Sequence, residues 1–254
     1  MRSFAKHWGK AAALGAFLAL TACRSGDRLV LPTPDPQHYV GMRLTCLNAT
    51  SPDHVVTAGY LTDIGGNVET ILLRSESGGD KWQRVGSETF NFEHLVPQAV
   101  LFADTLRGWM AGIRVIDGQT LPLVLRTEDG GGHWRESLIP HDRSTTVTEL
   151  TDLRFESDDI GFVTVHFVPE GSTESRVNVY TTADGGRHWV IKDFTDPSPL
   201  GPTDPAEIFV SENEGFRLAL PLENGTQVLY FSGTKGQTWV PRSQFHLSQL
   251  LSYY

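Results

Sequence analysis

The stretch T-E-D-G-G-G-H-W at residues 127–134 decides the fold, because related octamers occur at 75–82, 182–189 and 232–239. Every copy carries Ser or Thr first, Gly fifth and Trp eighth. The four Trp residues are separated by 52, 55 and 50 positions. Matched spacing of this kind is typical of a repeat array, so we expect one structural unit for each octamer.

The chemistry of the octamer predicts a turn between two β-strands. Asp, Ser and Thr side chains bind backbone N–H groups nearby, and glycine adopts conformations that a β-carbon resists. We expect each Trp ring to lie between neighbouring sheets with its indole N–H bound to an acceptor. An apolar run precedes each octamer and predicts a buried strand, at 71–73, 123–125, 178–180 and 228–231. The positions expected to have this structural role are Ser75, Gly79, Trp82, Thr127, Asp129, Gly131, Trp134, Thr182, Asp184, Gly186, Trp189, Ser232, Gly236 and Trp239.

A second signature precedes the last three octamers. Phe102, Phe155 and Phe209 each stand six residues before a glycine, and an aromatic residue follows that glycine. Units of roughly 50 residues with four short strands and no helical periodicity are typical of propeller blades. We predict an all-β fold, a β-propeller of about four four-stranded blades with the octamer between the third and fourth strands. The predicted repeats span about 42–86, 95–138, 148–193 and 204–246.

The sequence leaves two alternatives to a closed four-bladed ring. A β-sandwich is also all-β, but it does not require one octamer at matched intervals. An open array that needs a partner is the second alternative, and a closed ring is the architecture we favour over it.

The octamers resemble the Asp-box, or BNR, repeat S/T-x-D-x-G-x-T-W. The pairing of F-x-D-x3-G-W-M-A-G at 102–112 with L-R-T-x-D-G-G-x-H-W at 125–134 resembles the repeat of the photosystem II assembly/stability factor family of β-propellers. This resemblance covers roughly 42–245 and implies a propeller that acts as an assembly factor or scaffold. Only Asp129 and Asp184 keep the Asp of the box. Asp-boxes also occur in sialidases and sortilin-type receptors.

The N-terminus has the pattern of a bacterial lipoprotein signal peptide. A basic start with Arg2, Lys6 and Lys10 is followed by an apolar stretch at 11–20 and by L-T-A-C at 20–23, which resembles a lipobox. The resemblance implies a signal peptide at 1–22, lipid attachment at Cys23 and a membrane anchor. A proline-rich tether at 23–41 then leads to the propeller domain at 42–254. An ordinary secretory signal is the alternative.

Charge and cysteine content narrow the partners and the location. Removing the signal peptide takes away three basic residues and no acidic ones, so the formal charge falls from −9 to −12. An acidic surface disfavours nucleic acid and anionic lipid headgroups as partners. Cys46 is then the lone candidate for a free cysteine, expected as a small buried hydrophobe. Arg24 stands where an Asp would favour inner-membrane retention, which implies the outer membrane of the cell envelope, facing the periplasm.

Binding is expected on the face opposite the octamers, where the variable loops lie. These loops are 61–69, 87–97, 114–119, 139–149, 168–176, 193–206 and 221–225. Candidate contact residues are Phe90, Phe92, His94, His141 and Phe194, although ordinary connecting loops explain each of them equally well.

Catalytic and metal chemistry find little support in the sequence. His133 and His188 occupy the same octamer position, but no ligand spacing accompanies them, and we expect no metal and no cofactor. A sialidase needs an arginine cluster, a Tyr nucleophile with a Glu, and an acid/base Asp, yet its F/Y-R-I-P motif is absent. We therefore predict a non-enzymatic envelope lipoprotein that binds a protein partner, without catalytic residues. The alternative is a glycan-binding propeller or a sialidase-like glycoside hydrolase.

Overall fold

The computed structural model describes residues 39–86, 92–192 and 207–250. These residues form four antiparallel sheets, each of four strands in chain order. Sheet 1 contains β1 (Tyr39–Ala49), β2 (Val55–Asp63), β3 (Val68–Ser75) and β4 (Gln83–Val85). Sheet 2 contains β5 (Leu95–Phe102), β6 (Gly108–Ile116), β7 (Gln119–Thr127) and β8 (Arg135–Leu138). Sheet 3 contains β9 (Thr145–Phe155), β10 (Gly161–Pro169), β11 (Arg176–Thr182) and β12 (Val190–Ile191). Sheet 4 contains β13 (Glu207–Phe209), β14 (Gly215–Leu218), β15 (Gln227–Ser232) and β16 (Val240–Phe245), before a short helix α1 (Leu247–Leu250).

The two sequence signatures meet in register inside sheets 2, 3 and 4, and sheet 1 has the same register with Val55 in place of the glycine. The first residue of each octamer ends the third strand and pairs with the first residue of the second strand. These pairs are Val55 with Ser75, Gly108 with Thr127, Gly161 with Thr182 and Gly215 with Ser232. The glycines of sheets 2 and 3 are required here, because a β-carbon at Gly108 or Gly161 would lie 2.6 Å from the ring of Phe102 or Phe155.

The core consists of three apolar clusters, each between two sheets. The first joins sheet 1 to sheet 4 and includes Leu73 and Phe216. The second joins sheets 1 and 2 around Leu72 and Leu125, and the third joins sheets 2 and 3 around Val124. The described residues form no such cluster between sheets 3 and 4. The sheets therefore pack in the order 4-1-2-3, which confirms an all-β fold of four four-stranded units without showing a closed ring.

Several predicted features lie outside the described residues. They are the signal peptide, Cys23, most of the tether, Phe90, Phe194 and the loop at 193–206. Within the described part of the chain, no helix has the length and apolar character needed to cross a membrane.

Candidate functional site

Each octamer is a turn closed by its first side chain. The hydroxyl of Thr127 accepts hydrogen bonds from the backbone N–H groups of Gly131 (2.9 Å) and Asp129 (3.3 Å). The octamer of sheet 3 repeats this arrangement, and its Thr182 accepts from Gly186 at 2.9 Å. Ser75 and Ser232 likewise accept from Gly79 and Gly236, at 2.8 and 2.9 Å. Ser and Thr therefore play the same part in all four turns.

The Asp of the box orders the second half of the turn. Asp129 accepts a hydrogen bond from the backbone N–H of His133 at 2.8 Å, and its other carboxylate oxygen contacts Nδ1 of His133 at 2.5 Å. Partial burial raises the pKa of Asp129, but the hydrogen bonds from His133 and Thr127 outweigh it and lower the pKa to about 2. Asp184 and His188 form the same pair at 2.6 Å. These carboxylates are structural acceptors for the turn.

The two octamer histidines do not form a metal site together with other ligands. The side chains of His133 and His188 are 69% and 85% exposed, and each contacts the Asp of its own octamer. Among the residues that the structure describes, no three or more His, Cys, Asp or Glu side chains lie close enough to hold a metal ion.

The tryptophans depart in part from the sequence-based expectation. Trp134 and Trp189 are buried in the clusters between sheets, but their indole Nε1 atoms have no hydrogen-bond partner. The prediction of a bound indole N–H is wrong for these two residues, because apolar side chains surround the rings. Trp82 agrees with the prediction, because its Nε1 donates to the carbonyl of Gly79 at 2.9 Å and to the hydroxyl of Ser243 at 3.0 Å.

A polar groove lies on the opposite face, where sheets 2 and 3 meet. Its cavity volume is about 310 Å³. Three segments line it, namely the turn between β6 and β7, the loop between β8 and β9, and the turn after β10. The lining residues are Gly118, Gln119, Thr120, His141, Arg143, Ser144, Thr145, Thr146 and Glu170.

Local hydrogen bonds fix the walls of this groove. Asp142 accepts from the backbone N–H of Ser144 at 2.9 Å, and this bond is the leading cause of the lowered pKa of its carboxyl. The Ser144 carbonyl accepts from the N–H of Glu170 at 2.9 Å, which ties the loop to sheet 3. Thr120 accepts from the N–H of Val147 at 2.7 Å, which ties sheet 2 to β9. The groove is therefore built on hydrogen-bonded backbone.

The groove presents side chains of several chemical kinds. The Arg143 guanidinium and the Glu170 carboxylate are exposed, and within the described residues neither side chain has an ion-pair or hydrogen-bond partner. Nδ1 of the His141 imidazole contacts the carbonyl oxygen of Ile139 at 3.2 Å. The arrangement offers a cation, a carboxylate, an imidazole and hydroxyls to one ligand.

Of the expected contact residues that the structure describes, namely Phe92, His94 and His141, only His141 lines the groove. The Phe92 ring instead packs edge-on against Trp134 at 6.5 Å, and His94 occupies an exposed turn with φ of 57°. Arg143 and Glu170 were missed as individual residues, although they lie in two of the loops selected for variability. The opposite charges of these two residues, in neighbouring loops, were the one sequence signal that could have identified them as lining one site.

Comparison with known proteins gives structural similarity alone. No family model and no curated protein sequence matches the chain. An α-L-arabinofuranosidase from Fusarium graminearum is similar at TM-score 0.42 and 14% identity, over 79% of this chain and 57% of the enzyme. An α-L-arabinanase from Penicillium chrysogenum is similar at TM-score 0.43 and 16% identity, over 82% of this chain and 63% of the enzyme. This chain thus spans about three fifths of the length of either enzyme.

A family 117 glycoside hydrolase from Zobellia galactanivorans is a further similar structure, at TM-score 0.42 and 9% identity, over 84% of this chain and 72% of the enzyme. The prediction that the chain is not an enzyme is corrected by this set of glycoside hydrolases. That prediction relied on missing motifs, whereas glycoside hydrolysis requires carboxylates placed by the fold and no short sequence signature. None of the similarities identifies a reaction of this chain.

Proposed function

We propose that the protein recognises a glycan and holds a sugar unit in the groove between sheets 2 and 3. The observation that carries this proposal is the polar lining of a cavity of about 310 Å³. That volume lies within the range of small-molecule sites, about 300–1,000 Å³.

A sugar fits this lining because it presents hydroxyl groups that both donate and accept hydrogen bonds. The groove provides hydrogen-bond donors on Arg143 and acceptors on Glu170, and Gln119 and Ser144 provide both. A purely apolar ligand would leave these groups unpaired, which is unfavourable. The lining therefore favours a polyhydroxylated ligand.

The groove presents one carboxylate to a bound sugar. Glycoside hydrolysis uses a pair of carboxyl groups on either side of the scissile bond, and the described lining of the groove contains one, Glu170. Glu170 would accept hydrogen bonds from sugar hydroxyls in the bound state.

The test is binding to an array of neutral and uronic-acid-containing oligosaccharides, followed by titration calorimetry on the strongest ligand. Glu170→Gln should weaken binding about tenfold, the loss of one charge-assisted hydrogen bond. Glu174→Gln is the matched control, because Glu174 is exposed in the same loop but does not line the groove. Equal affinities in the two variants, or no binding to any oligosaccharide, would overturn the proposal.

We further propose that the protein is an outer-membrane lipoprotein anchored through Cys23. The motivation is the lipobox-like L-T-A-C at 20–23. A clickable fatty acid should label the wild-type protein in cells and should not label Cys23→Ala. Label that persists in Cys23→Ala would refute the anchor.

An envelope protein partner remains a prediction from the resemblance. Crosslinking in cells with mass spectrometry addresses it, and a reproducible partner attached through the 139–149 loop would support it. Capture of nothing but neighbouring lipid-anchored proteins through the tether would count against it.

A further inference from the structure

The octamers do more than close turns, because three of them pack on a different sheet. The octamer of sheet 1 packs on sheet 4, where Arg242 Nε donates to the carbonyl of Gly78 at 2.8 Å. The octamer of sheet 2 packs on sheet 1, where Arg74 donates to the carbonyl of Gly130 at 3.5 Å. In each case the fourth residue of the octamer offers its carbonyl to the sheet beneath.

The octamer of sheet 3 follows the same rule on sheet 2. Trp109 Nε1 donates to the carbonyl of Gly185, the fourth residue, at 2.9 Å. Next to it, Ser137 donates to the carbonyl of Arg187, the sixth residue, at 2.7 Å. The fifth residue is close-packed at all three junctions, since an added β-carbon at Gly79, Gly131 or Gly186 would meet the receiving sheet at 3.1, 2.8 and 3.2 Å.

The matching face of sheet 3 is less buried than the faces that receive an octamer. In sheets 1, 2 and 4, the residue three positions before the sheet's own octamer points toward the octamer that the sheet receives from its neighbour. This residue is almost fully buried, with exposure of 2% at Leu72 and 0% at Val124 and Leu229. Its counterpart Val179 is only half-buried. Val177, which lies on the same side of β11, is 44% exposed.

Groups on this face are suited to an incoming octamer. Phe162 stands where sheet 2 has Trp109, one residue after the glycine that pairs with the octamer's first residue. The Arg154 guanidinium and the Lys192 ammonium lie over its ring, at 4.9 and 4.5 Å from the centroid. Both are cationic groups beside this ring, and Arg154 also forms an ion pair with Asp152.

We propose that this face of sheet 3 receives the fourth octamer, 232–239, of a second copy of the chain. Within one chain, sheet 4 already packs on sheet 1 through the cluster around Phe216. First strands of neighbouring sheets are in contact at three junctions, β1 with β5, β5 with β9 and β1 with β13. The described residues of β9 and β13 make no comparable contact.

A two-fold axis between two copies would pair both ends of the array, the face of sheet 3 and the fourth octamer, at once. The fourth octamer of each copy would pack on sheet 3 of the other, and such a closed arrangement leaves no unmatched end. Two sets of four sheets make a ring within the range of about four to eight blades that propellers adopt. The occupant is therefore a second copy of this chain.

The test is thiol crosslinking with a short bismaleimide in a Cys23→Ser background. Lys192 occupies the position in sheet 3 that Ser137 occupies in sheet 2. Ser137 pairs with Val124, and the N–H of Lys192 donates to the carbonyl of Val179, the counterpart of Val124, at 2.8 Å. Gln237 is the sixth residue of the fourth octamer, as Arg187 is of the third. Burial raises the pKa of Cys46 to about 12, so this thiol should not react.

A mixture of Lys192→Cys protein and Gln237→Cys protein should give covalent dimers that neither variant forms alone. The matched control is Ser137→Cys with Arg187→Cys in one chain, which should crosslink within the monomer. If a chain carrying both Lys192→Cys and Gln237→Cys crosslinks internally and the mixture gives no dimer, the ring closes on itself and the proposal is wrong. It is also wrong if the control crosslinks and neither the mixture nor that chain does.

Light scattering on the untagged protein provides a second readout. The wild type should have the mass of a dimer at high concentration, and Val179→Glu should shift it to monomer with an unchanged far-ultraviolet spectrum. A wild type that stays monomeric at all concentrations would contradict the proposal.

Discussion

The indole of Trp109 in sheet 2 donates a hydrogen bond to the carbonyl oxygen of Gly185 in the octamer of sheet 3, at 2.9 Å. The same indole stacks on Phe155, with ring centroids 3.9 Å apart. One residue of the second sequence signature thus holds the neighbouring sheet through both a ring contact and a polar contact. The repeat is therefore a device for joining sheets.

Replacing Trp109 should separate these two contributions. Trp109→Phe removes the hydrogen bond and keeps an aromatic ring, so we expect a loss of about 1–3 kcal/mol in the free energy of unfolding. Trp109→Ala also removes the stacked ring and should cost about 3–5 kcal/mol. Urea unfolding measures both. An unchanged stability of Trp109→Phe would show that the hydrogen bond to Gly185 contributes nothing, and equal losses in the two variants would show that the stacked ring adds nothing to it.

Trp134 should respond differently, because its Nε1 is buried without a partner. Trp134→Ala should cost about 3–5 kcal/mol, since the ring is 6% exposed and packs between sheets 1 and 2. Trp134→Phe should cost less than Trp109→Phe, because it removes an unpaired polar group from an apolar site. A loss below about 1 kcal/mol for Trp134→Ala would mean that the ring does not support the fold.

His54 should make the stability depend on pH. Burial and the nearby Arg74 guanidinium lower the pKa of His54 below its ordinary value, against the opposing effect of Glu76. The unfolded chain therefore binds more protons at mildly acidic pH, and stability should be lost as the pH falls below about 6.5.

His54→Gln tests this dependence by urea unfolding at about pH 7.5 and pH 5. The variant should lose less stability on acidification than the wild type does. His94→Asn is the control, because His94 is exposed and Asn tolerates its positive φ, and it should keep the wild-type loss. A His54→Gln protein with the full wild-type loss would assign the effect to other groups.

Asp129 should make the stability of the fold depend on pH in a more acidic range. Its pKa is lowered to about 2, because the hydrogen bonds from His133 and Thr127 outweigh the effect of burial. The stability that the ionised carboxylate provides is present above about pH 4 and should be lost as the pH falls toward 2. Asp129→Asn should therefore be less stable than the wild type at pH 7, with a difference that shrinks on acidification. A difference that is independent of pH would show that the charge plays no part.

The sequence predicts the repeating parts of the fold better than the site. Thr127 and Gly108 belong to two motifs with local chemical requirements, so their meeting in one sheet follows from the pattern. The packing order 4-1-2-3 does not, because it depends on how sheets distant in the chain pack together. The unpaired indoles of Trp134 and Trp189 could not be foreseen either, since the acceptors near a ring are set by tertiary packing.

The groove was predictable only as a set of loops. The segments at 114–119, 139–149 and 168–176 all contribute to it, because turns between the second and third strands of adjacent sheets come together on one face. Which side chains meet depends on loop conformation, and there the hydrogen bond between Ser144 and Glu170 is decisive. No motif in the sequence encodes that contact.

A crystal structure of the protein with its strongest oligosaccharide from the array would test the central claim most directly. The account predicts electron density for a sugar unit between the 118–120 turn and the 141–146 loop, within hydrogen-bond distance of Arg143 and Glu170. Density on the octamer face instead, with the groove filled by solvent, would contradict it.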